Sequence, residues 1–183
     1  LPGVGAIYTS AGDFCFQPVG PANGLHSFVR RATLSNSYWY LQQLTSWLAT
    51  GKETGGALCV LELTGRQGFE PPPHVHTRED ELYFIFEGEV RFHRGDDVLE
   101  AGPGDAVFLP RGVRHWHKIH SPRWRTLVAT APAGIENYYL DFSRPARALE
   151  LPAPADDPVD FGAVVPRLIE RGERYGIWYP PVR

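Results

Sequence analysis

Glycine and proline divide this chain into many short apolar segments. The 183 residues include 19 glycines and 17 prolines. Short runs of β-branched and aromatic residues, bounded by turn residues, are typical of β-strands. Many such strands at nearly regular spacing favour an all-β sandwich or barrel. The predicted strands cover residues 26–29, 38–43, 57–64, 82–87, 90–93, 97–100, 105–109, 115–120, 125–131 and 136–141.

Two segments depart from this pattern. Residues 37–50 combine a partial helical stripe with good strand formers, and we predict a strand followed by a short loop or helical turn. Residues 144–159 contain four prolines and predict an irregular connector. Beyond the connector, apolar residues recur at helical spacing and predict a short helix. These residues are Val164, Val165, Leu168 and Ile169.

This pattern gives a division of the chain into two parts. Residues 1–143 are expected to form the barrel, including N-terminal strands, and residues 144–183 a connector and a helix packed on it. The helix has a second possible role, which is to cover the mouth of a pocket.

Composition and charge exclude some function classes. Apolar residues make up 43% of the chain and charged residues 21%, which is ordinary for a globular protein. The net charge of −3 provides no field that would attract a polyanion, so we expect no nucleic-acid partner. No apolar run approaches the ~20 residues that span a bilayer. We therefore expect a soluble cytoplasmic protein, with Cys59 as a buried free thiol because it lies in an apolar run.

Two histidines separated by one residue, followed by a glutamate, carry the clearest chemical signal. His74 and His76 project from the same face if they lie on one strand. Neutral imidazole nitrogen is a good ligand for transition metals. Glu81 opens the next predicted strand and can add a carboxylate oxygen. The spacing therefore indicates a metal site.

A third histidine comes from a separate segment of the chain. Pro110 and Gly112 predict a tight corner, and His115 begins the strand that leaves it. Three imidazoles and one carboxylate suit Fe, Ni, Co, Mn, Cu or Zn, so the pattern predicts one divalent transition metal of unspecified identity. Four ligands leave up to two positions of an octahedral shell open, which suits catalysis better than a closed structural site.

The two segments resemble the two signature motifs of the cupin superfamily. The first motif is met by Gly68, His74, His76, Glu81 and Gly88, and the second by Gly104, Pro110, Gly112 and His115. Ile119 stands where the second motif has an asparagine, which affects any supporting role of that position but not the ligand set. The resemblance implies a double-stranded β-helix, a barrel of jelly-roll type, with motifs within residues 68–119.

A looser resemblance extends to single-domain bacterial cupins similar to quercetin 2,3-dioxygenases. It is carried by residues 38–41, 53–56, 72–81 and 174–177. This resemblance implies a metal-dependent dioxygenase that opens the ring of a flavonol or related enolic aromatic with O₂, with Glu81 as catalytic base. Two alternatives stay open: a non-redox metal-dependent isomerase, lyase or decarboxylase, and a small-molecule-binding cupin without catalysis. Because cupins commonly pair, a homodimer is expected.

Strand alternation extends the predicted site beyond the ligands. If Glu81 points inward, Tyr83 and Ile85 do so as well, and His117 follows His115 inward. We predict that Tyr83, Ile85 and His117 line a substrate pocket. Some aromatic residues could line the pocket or fill the core, with core packing favoured: Phe84, Phe86, Phe92 and Phe108. A basic cluster is interpreted as a solvated rim or as a mouth for an anionic substrate: Arg111, Arg114, Lys118, Arg123 and Arg125.

Overall fold

In the part of the chain that the structure describes, antiparallel β-sheets are accompanied by three short α-helices. The structure, a computed structural model, describes residues 4–8, 14–18 and 24–180. The helices are α1 (Gly51–Thr54), α2 (Glu136–Asp141) and α3 (Phe161–Gly172). The strands are β1 (Val4–Tyr8), β2 (Phe14–Pro18), β3 (Ser37–Tyr40), β4 (Gln43–Ala49), β5 (Cys59–Gly65), β6 (Val75–His76), β7 (Asp80–Glu87), β8 (Val90–Arg94), β9 (Asp97–Ala101), β10 (Ala106–Leu109), β11 (His115–Ile119), β12 (Trp124–Ala131), β13 (Ser143–Pro145) and β14 (Ile177–Trp178).

Two sheets carry the barrel. The larger sheet has seven strands in the order β10-β7-β12-β5-β4-β3-β13, and the second has the order β11-β8-β9. Strands β6 and β14 form a separate pair beside them. The strand pairs are antiparallel, and the chain crosses between the two sheets after β7, β9, β10 and β11, as expected for a double-stranded β-helix. The predicted fold class, an all-β barrel with a short C-terminal helix, is confirmed.

Alternation along β7 determines which side chains enter the barrel. Glu81, Tyr83 and Ile85 are buried, whereas Phe84 and Phe86 on the opposite face are exposed. Phe108 on the neighbouring strand is also exposed, at 56% of its surface. The core interpretation is therefore wrong for these three phenylalanines, because they occupy the outer positions of their strands. Phe92 does belong to the core, where it is fully buried.

Three local predictions are also wrong. Residues 26–29 form no strand, because this part of the chain pairs with no other described strand. Residues 37–49 form a β3–β4 hairpin, not a strand and a loop. Its turn residues Leu41 and Gln42 have positive φ without being glycine or asparagine. Residues 136–141 form helix α2, since Ile135, Tyr138, Tyr139 and Phe142 follow helical spacing and pack on the core.

The C-terminal helix packs on the barrel. Asp160 caps α3 by accepting a hydrogen bond from the amide of Ala163, and Leu168 is buried against the core. The chain then forms β14, which pairs with β6 of the barrel. The division of the chain near residue 143 stays a prediction. No helix within residues 4–8, 14–18 and 24–180 is both long and apolar enough to cross a membrane.

Two glycines of the first motif allow a matched test of the fold. Gly68 and Gly88 both have positive φ, near 90°. A Cβ at Gly88 would lie 2.5 Å from the carbonyl oxygen of Arg123, whereas a Cβ at Gly68 would meet nothing within 4 Å. We expect Gly68→Ala to cost about 1–2 kcal/mol of unfolding free energy from backbone strain. Gly88→Ala should cost clearly more, because the backbone must also move. Urea denaturation of both variants measures this difference, and equal costs would contradict the close approach.

Candidate metal centre

Backbone hydrogen bonds hold the two motifs together. His74 and His115 form an isolated β-bridge, in which the amide of each donates to the carbonyl of the other at 3.0 and 2.8 Å. The amide of Gly112, in the predicted tight corner, donates to the carbonyl of His76 at 2.7 Å. Glu81 enters from β7, at the point where that strand begins. Two segments that are distant in sequence are thereby brought to one point.

The four predicted ligands converge inside the barrel. One donor atom from each of His74, His76, Glu81 and His115 lies within 4.8 Å of the others, and all four residues are buried. The Oε1 atom of Glu81 is 3.6 Å from His76 Nε2, and its Oε2 atom is 3.2 Å from His115 Nε2. These four residues could hold a metal ion.

The hydrogen bonds of the imidazoles agree with metal binding. His74 Nδ1 is 2.8 Å from the carbonyl oxygen of Pro72, and His115 Nδ1 is 3.0 Å from that of Val113. A carbonyl oxygen can only accept, so Nδ1 must carry the proton and Nε2 is left with a free lone pair. His115 Nε2 is buried and lacks a hydrogen-bond partner among the described residues. A metal ion would satisfy this atom.

The protonation states expected from the surroundings also suit a cation. Burial and the neighbouring His76 and His115 hold the pKa of His74 well below its ordinary value. Burial raises the pKa of Glu81, but the surrounding histidines outweigh it, and the net pKa is well below the ordinary value. At neutral pH the site therefore presents an ionised carboxylate and a neutral His74, as metal ligation requires.

A cavity of about 210 Å³ lies against this site. His74, His76 and Glu81 form part of its wall, and most of the remaining wall is apolar or aromatic. The aromatic part includes a set of tyrosines: Tyr40, Tyr83, Tyr138, Tyr139 and Tyr179. The hydroxyl groups of Tyr138 and Tyr179 are 2.6 Å apart and share a hydrogen bond. An apolar chamber with a few polar groups beside a metal site is typical of small-molecule pockets.

The cavity contains two of the three predicted pocket residues. Tyr83 and His117 line the cavity. Burial of the His117 side chain lowers the pKa of His117 to about 4. Ile85 is fully buried and packs in the core without lining the cavity. As far as the structure describes the chain, no side chain of the basic cluster lines the cavity. Arg111, Arg123 and Arg125 instead pair with surface carboxylates, which supports the solvated-rim interpretation.

The sequence interpretation missed the contribution of α2 to the cavity, and for the C-terminal helix it offered a place at a pocket only as an alternative to packing on the barrel. Phe161, Val165 and Leu168 of α3 lie in its wall, so the helix both packs on the barrel and borders the pocket. Tyr138 and Tyr139 come from α2, which had been predicted as a strand. Their helical spacing with Ile135 was the signal that could have revealed them.

Comparisons with known proteins agree with this architecture. The family model for the cupin domain matches residues 63–128. The chain is 24% identical over 132 residues to a quercetin 2,3-dioxygenase of Bacillus subtilis (strain 168); these cover 72% of this chain but only 39% of that protein. This chain thus spans well under half of that relative's length.

Two solved structures are similar to this chain. KdgF from Halomonas sp. superposes with a TM-score of 0.50 at 17% identity, over 58% of this chain and 94% of that one. An RmlC-like cupin from Shewanella frigidimarina gives a TM-score of 0.49 at 17% identity, over 63% and 96% of the two chains. The barrel, the two motifs and the matching family model together identify residues 63–128 of this chain as a cupin domain.

Proposed function

We propose that this cupin is a metal-dependent dioxygenase that opens the ring of a flavonol or related enolic aromatic compound with O₂. The observation that carries the proposal is a buried three-histidine, one-carboxylate donor set in the wall of an aromatic-lined cavity. The similarity to the Bacillus subtilis quercetin 2,3-dioxygenase supports this substrate class. Flat aromatic ligands suit a wall of tyrosine and phenylalanine rings, which stack on them.

In this proposal His74, His76, His115 and Glu81 hold one divalent transition metal, whose identity is left open among Fe, Ni, Co, Mn, Cu and Zn. When bound, such an ion acidifies a coordinated hydroxyl group and supports reaction with O₂. The apolar wall formed by Phe69, Ile135 and Val165 excludes water from the reacting substrate.

Glu81 is the proposed catalytic base. Its carboxylate lines the cavity, where it can accept the proton of a substrate hydroxyl group at one of its two oxygens. The Tyr83 hydroxyl lies 3.5 Å from Glu81 Oε2 and helps to orient that oxygen. His117 lies in the same wall and can contact the bound substrate through a ring nitrogen.

The second candidate is a non-redox metal enzyme, such as an isomerase, lyase or decarboxylase. It is favoured by the composition of the donor set, since nitrogen and oxygen ligands also suit a redox-inactive ion such as Zn²⁺. Turnover that persists under strict anaerobiosis would support this candidate and exclude a dioxygenase.

The dioxygenase proposal is tested with an oxygen electrode. We expect the protein, reconstituted separately with each of the six metals, to consume O₂ in the presence of quercetin or a related enol with at least one of them. Chelation of the metal should abolish the consumption, and re-addition should restore it. The absence of O₂ uptake with every metal would contradict the proposal.

We also propose that the protein forms a homodimer through the outer face of β7 and β10. Phe84, Phe86 and Phe108 are exposed there, and a contiguous apolar patch commonly marks a protein interface. We expect light scattering after gel filtration to show a dimer for the native chain and a monomer for the Phe84→Asp, Phe108→Asp double variant. Val98→Asp, which changes an exposed apolar residue on β9, should stay dimeric. A monomeric native chain would contradict the proposal.

A further inference from the structure

His76 differs from the other two histidines in what faces its Nδ1 atom. His74 and His115 each direct Nδ1 at a backbone carbonyl two residues earlier. The Nδ1 atom of His76 faces a side-chain carboxylate instead, and lies 3.7 Å from Oε2 of Glu79. This is an ion-pair distance just beyond hydrogen-bond range.

Both groups of this contact are buried. The side chains of His76 and Glu79 are each 2% exposed. His76 Nδ1 and Glu79 Oε2 both lack a hydrogen-bond partner among the described residues, so each is the natural partner of the other. Burying a carboxylate without compensation is costly, and such groups are retained mainly where a positive partner stands beside them.

The local chain directs three successive acidic residues to three different places. Asp80 turns outward and pairs with Arg111 at 2.7 Å, whereas Glu81 turns inward to Nε2 of His76. Glu79 approaches the same imidazole from its other nitrogen. A Cβ at Gly134 would lie 3.2 Å from Glu79 Oε1, so the absence of a side chain there leaves room for the carboxylate. His76 is therefore held between two carboxylates.

We infer that Glu79 is a positioning residue of the metal centre, whose carboxylate holds the Nδ1 proton of His76 and thereby aims Nε2 at the metal ion. A carboxylate behind a ligating imidazole fixes the ring and increases its donor strength. The carboxylate of Glu79 also adds a second negative charge to that of Glu81. Together the two charges balance the charge of a divalent cation. This inference rests on the metal binding of the proposed function but is independent of ring cleavage and O₂.

The test measures metal binding by the full chain, with Co²⁺ as the probe. The variants are Glu79→Leu, which removes the charge and the acceptor, and Glu79→Gln, which removes only the charge. Asp80→Asn is the matched control, since it removes the same charge one residue away without contacting His76. Chelator competition gives the Kd for Co²⁺, and proton NMR of the Co²⁺ form detects the exchangeable imidazole N–H protons. Thermal unfolding of each variant verifies folding.

We expect Glu79→Leu to weaken Co²⁺ binding about 10–100-fold. Glu79→Gln should weaken Co²⁺ binding less than Glu79→Leu does, and Asp80→Asn should weaken it less than Glu79→Gln does. In the NMR spectrum of Glu79→Leu, one of the three imidazole N–H signals should shift or vanish while two stay in place. Because Glu79→Gln keeps the shape of the side chain, it carries the test if the leucine variant fails to fold.

Three results would overturn the inference. The first is an unchanged Kd and unchanged N–H signals in both Glu79 variants. The second is a loss in Asp80→Asn equal to that in Glu79→Gln, which would indicate a general charge effect. The third is a native chain that takes up no Co²⁺. None of these measurements uses the substrate, so failure of the dioxygenase proposal alone would leave the inference intact.

Discussion

Replacing His115 by alanine is expected to abolish stoichiometric metal binding. His115 is the only proposed ligand from the second motif, and its Nε2 atom lies 3.2 Å from Glu81 Oε2 among the four converging donor groups. Loss of a supporting residue behind a metal ligand costs about 10–100-fold in affinity, so loss of the ligand itself should cost more than about 100-fold. Elemental analysis and chelator competition measure the occupancy and the affinity, and turnover should fall with them.

His117→Ala is the matched control for this variant. His117 lies two residues further along β11, faces the same side of the sheet and is also buried, yet it is outside the donor set. We expect the His117→Ala variant to keep its metal. Any change in its activity should come only from altered contact with the substrate. Equal metal loss in both variants would mean that a general disturbance of β11, and not a missing ligand, explains the result.

Replacing Glu81 by glutamine is expected to separate metal binding from catalysis. The glutamine amide keeps an oxygen that can reach the metal, but near neutral pH it cannot act as a base and accept a proton. General base catalysis contributes about 10²–10⁴-fold, so turnover should fall by that factor. Metal occupancy should fall much less than in His115→Ala. Steady-state kinetics and metal analysis of the same preparation measure both quantities.

Tyr83→Phe is the companion variant for Glu81. It removes the hydroxyl group that lies 3.5 Å from Glu81 Oε2 but leaves the carboxylate in place. We expect a loss of turnover smaller than that in Glu81→Gln, with no loss of metal. Full turnover in Glu81→Gln would show that this carboxylate is not the base.

Local patterns are sufficient to predict the central strands and the convergence of His74, His76, Glu81 and His115. Alternation along β7 placed Glu81, Tyr83 and Ile85 on the inner face, and all three are buried. The same rule implied that Phe84 and Phe86 face outward, but hydrophobicity favoured the core for both. A strand pattern specifies which side chains share a face, but it does not specify which of the two faces is buried.

The remaining errors in the predicted secondary structure concern conformations that residue type alone does not predict. The β3–β4 turn uses Leu41 and Gln42 at positive φ, where glycine or asparagine is the usual signal. Helix α2 is short, and its tyrosines are good strand formers, so packing of Tyr138 against the core outweighs their propensity.

The supporting parts of the site depend on tertiary structure. Glu79 approaches His76 because the turn before β7 directs it there, and its spacing alone does not distinguish it from Asp80. Tyr179 reaches the cavity because β14 pairs with β6, which joins residues about 100 positions apart. Such contacts depend on the folded topology and are not visible in the local sequence. The motif spacing, by contrast, depends only on single strands and turns.

The most direct test of the central claim is X-ray absorption spectroscopy of the protein loaded with one divalent transition metal, combined with elemental analysis. We predict one ion per chain, with a first shell of nitrogen and oxygen at about 2.0–2.2 Å and the outer-shell scattering of three imidazoles. The three imidazoles are those of His74, His76 and His115. A chain that retains no stoichiometric metal, or a bound ion with fewer than three imidazoles, would contradict the account.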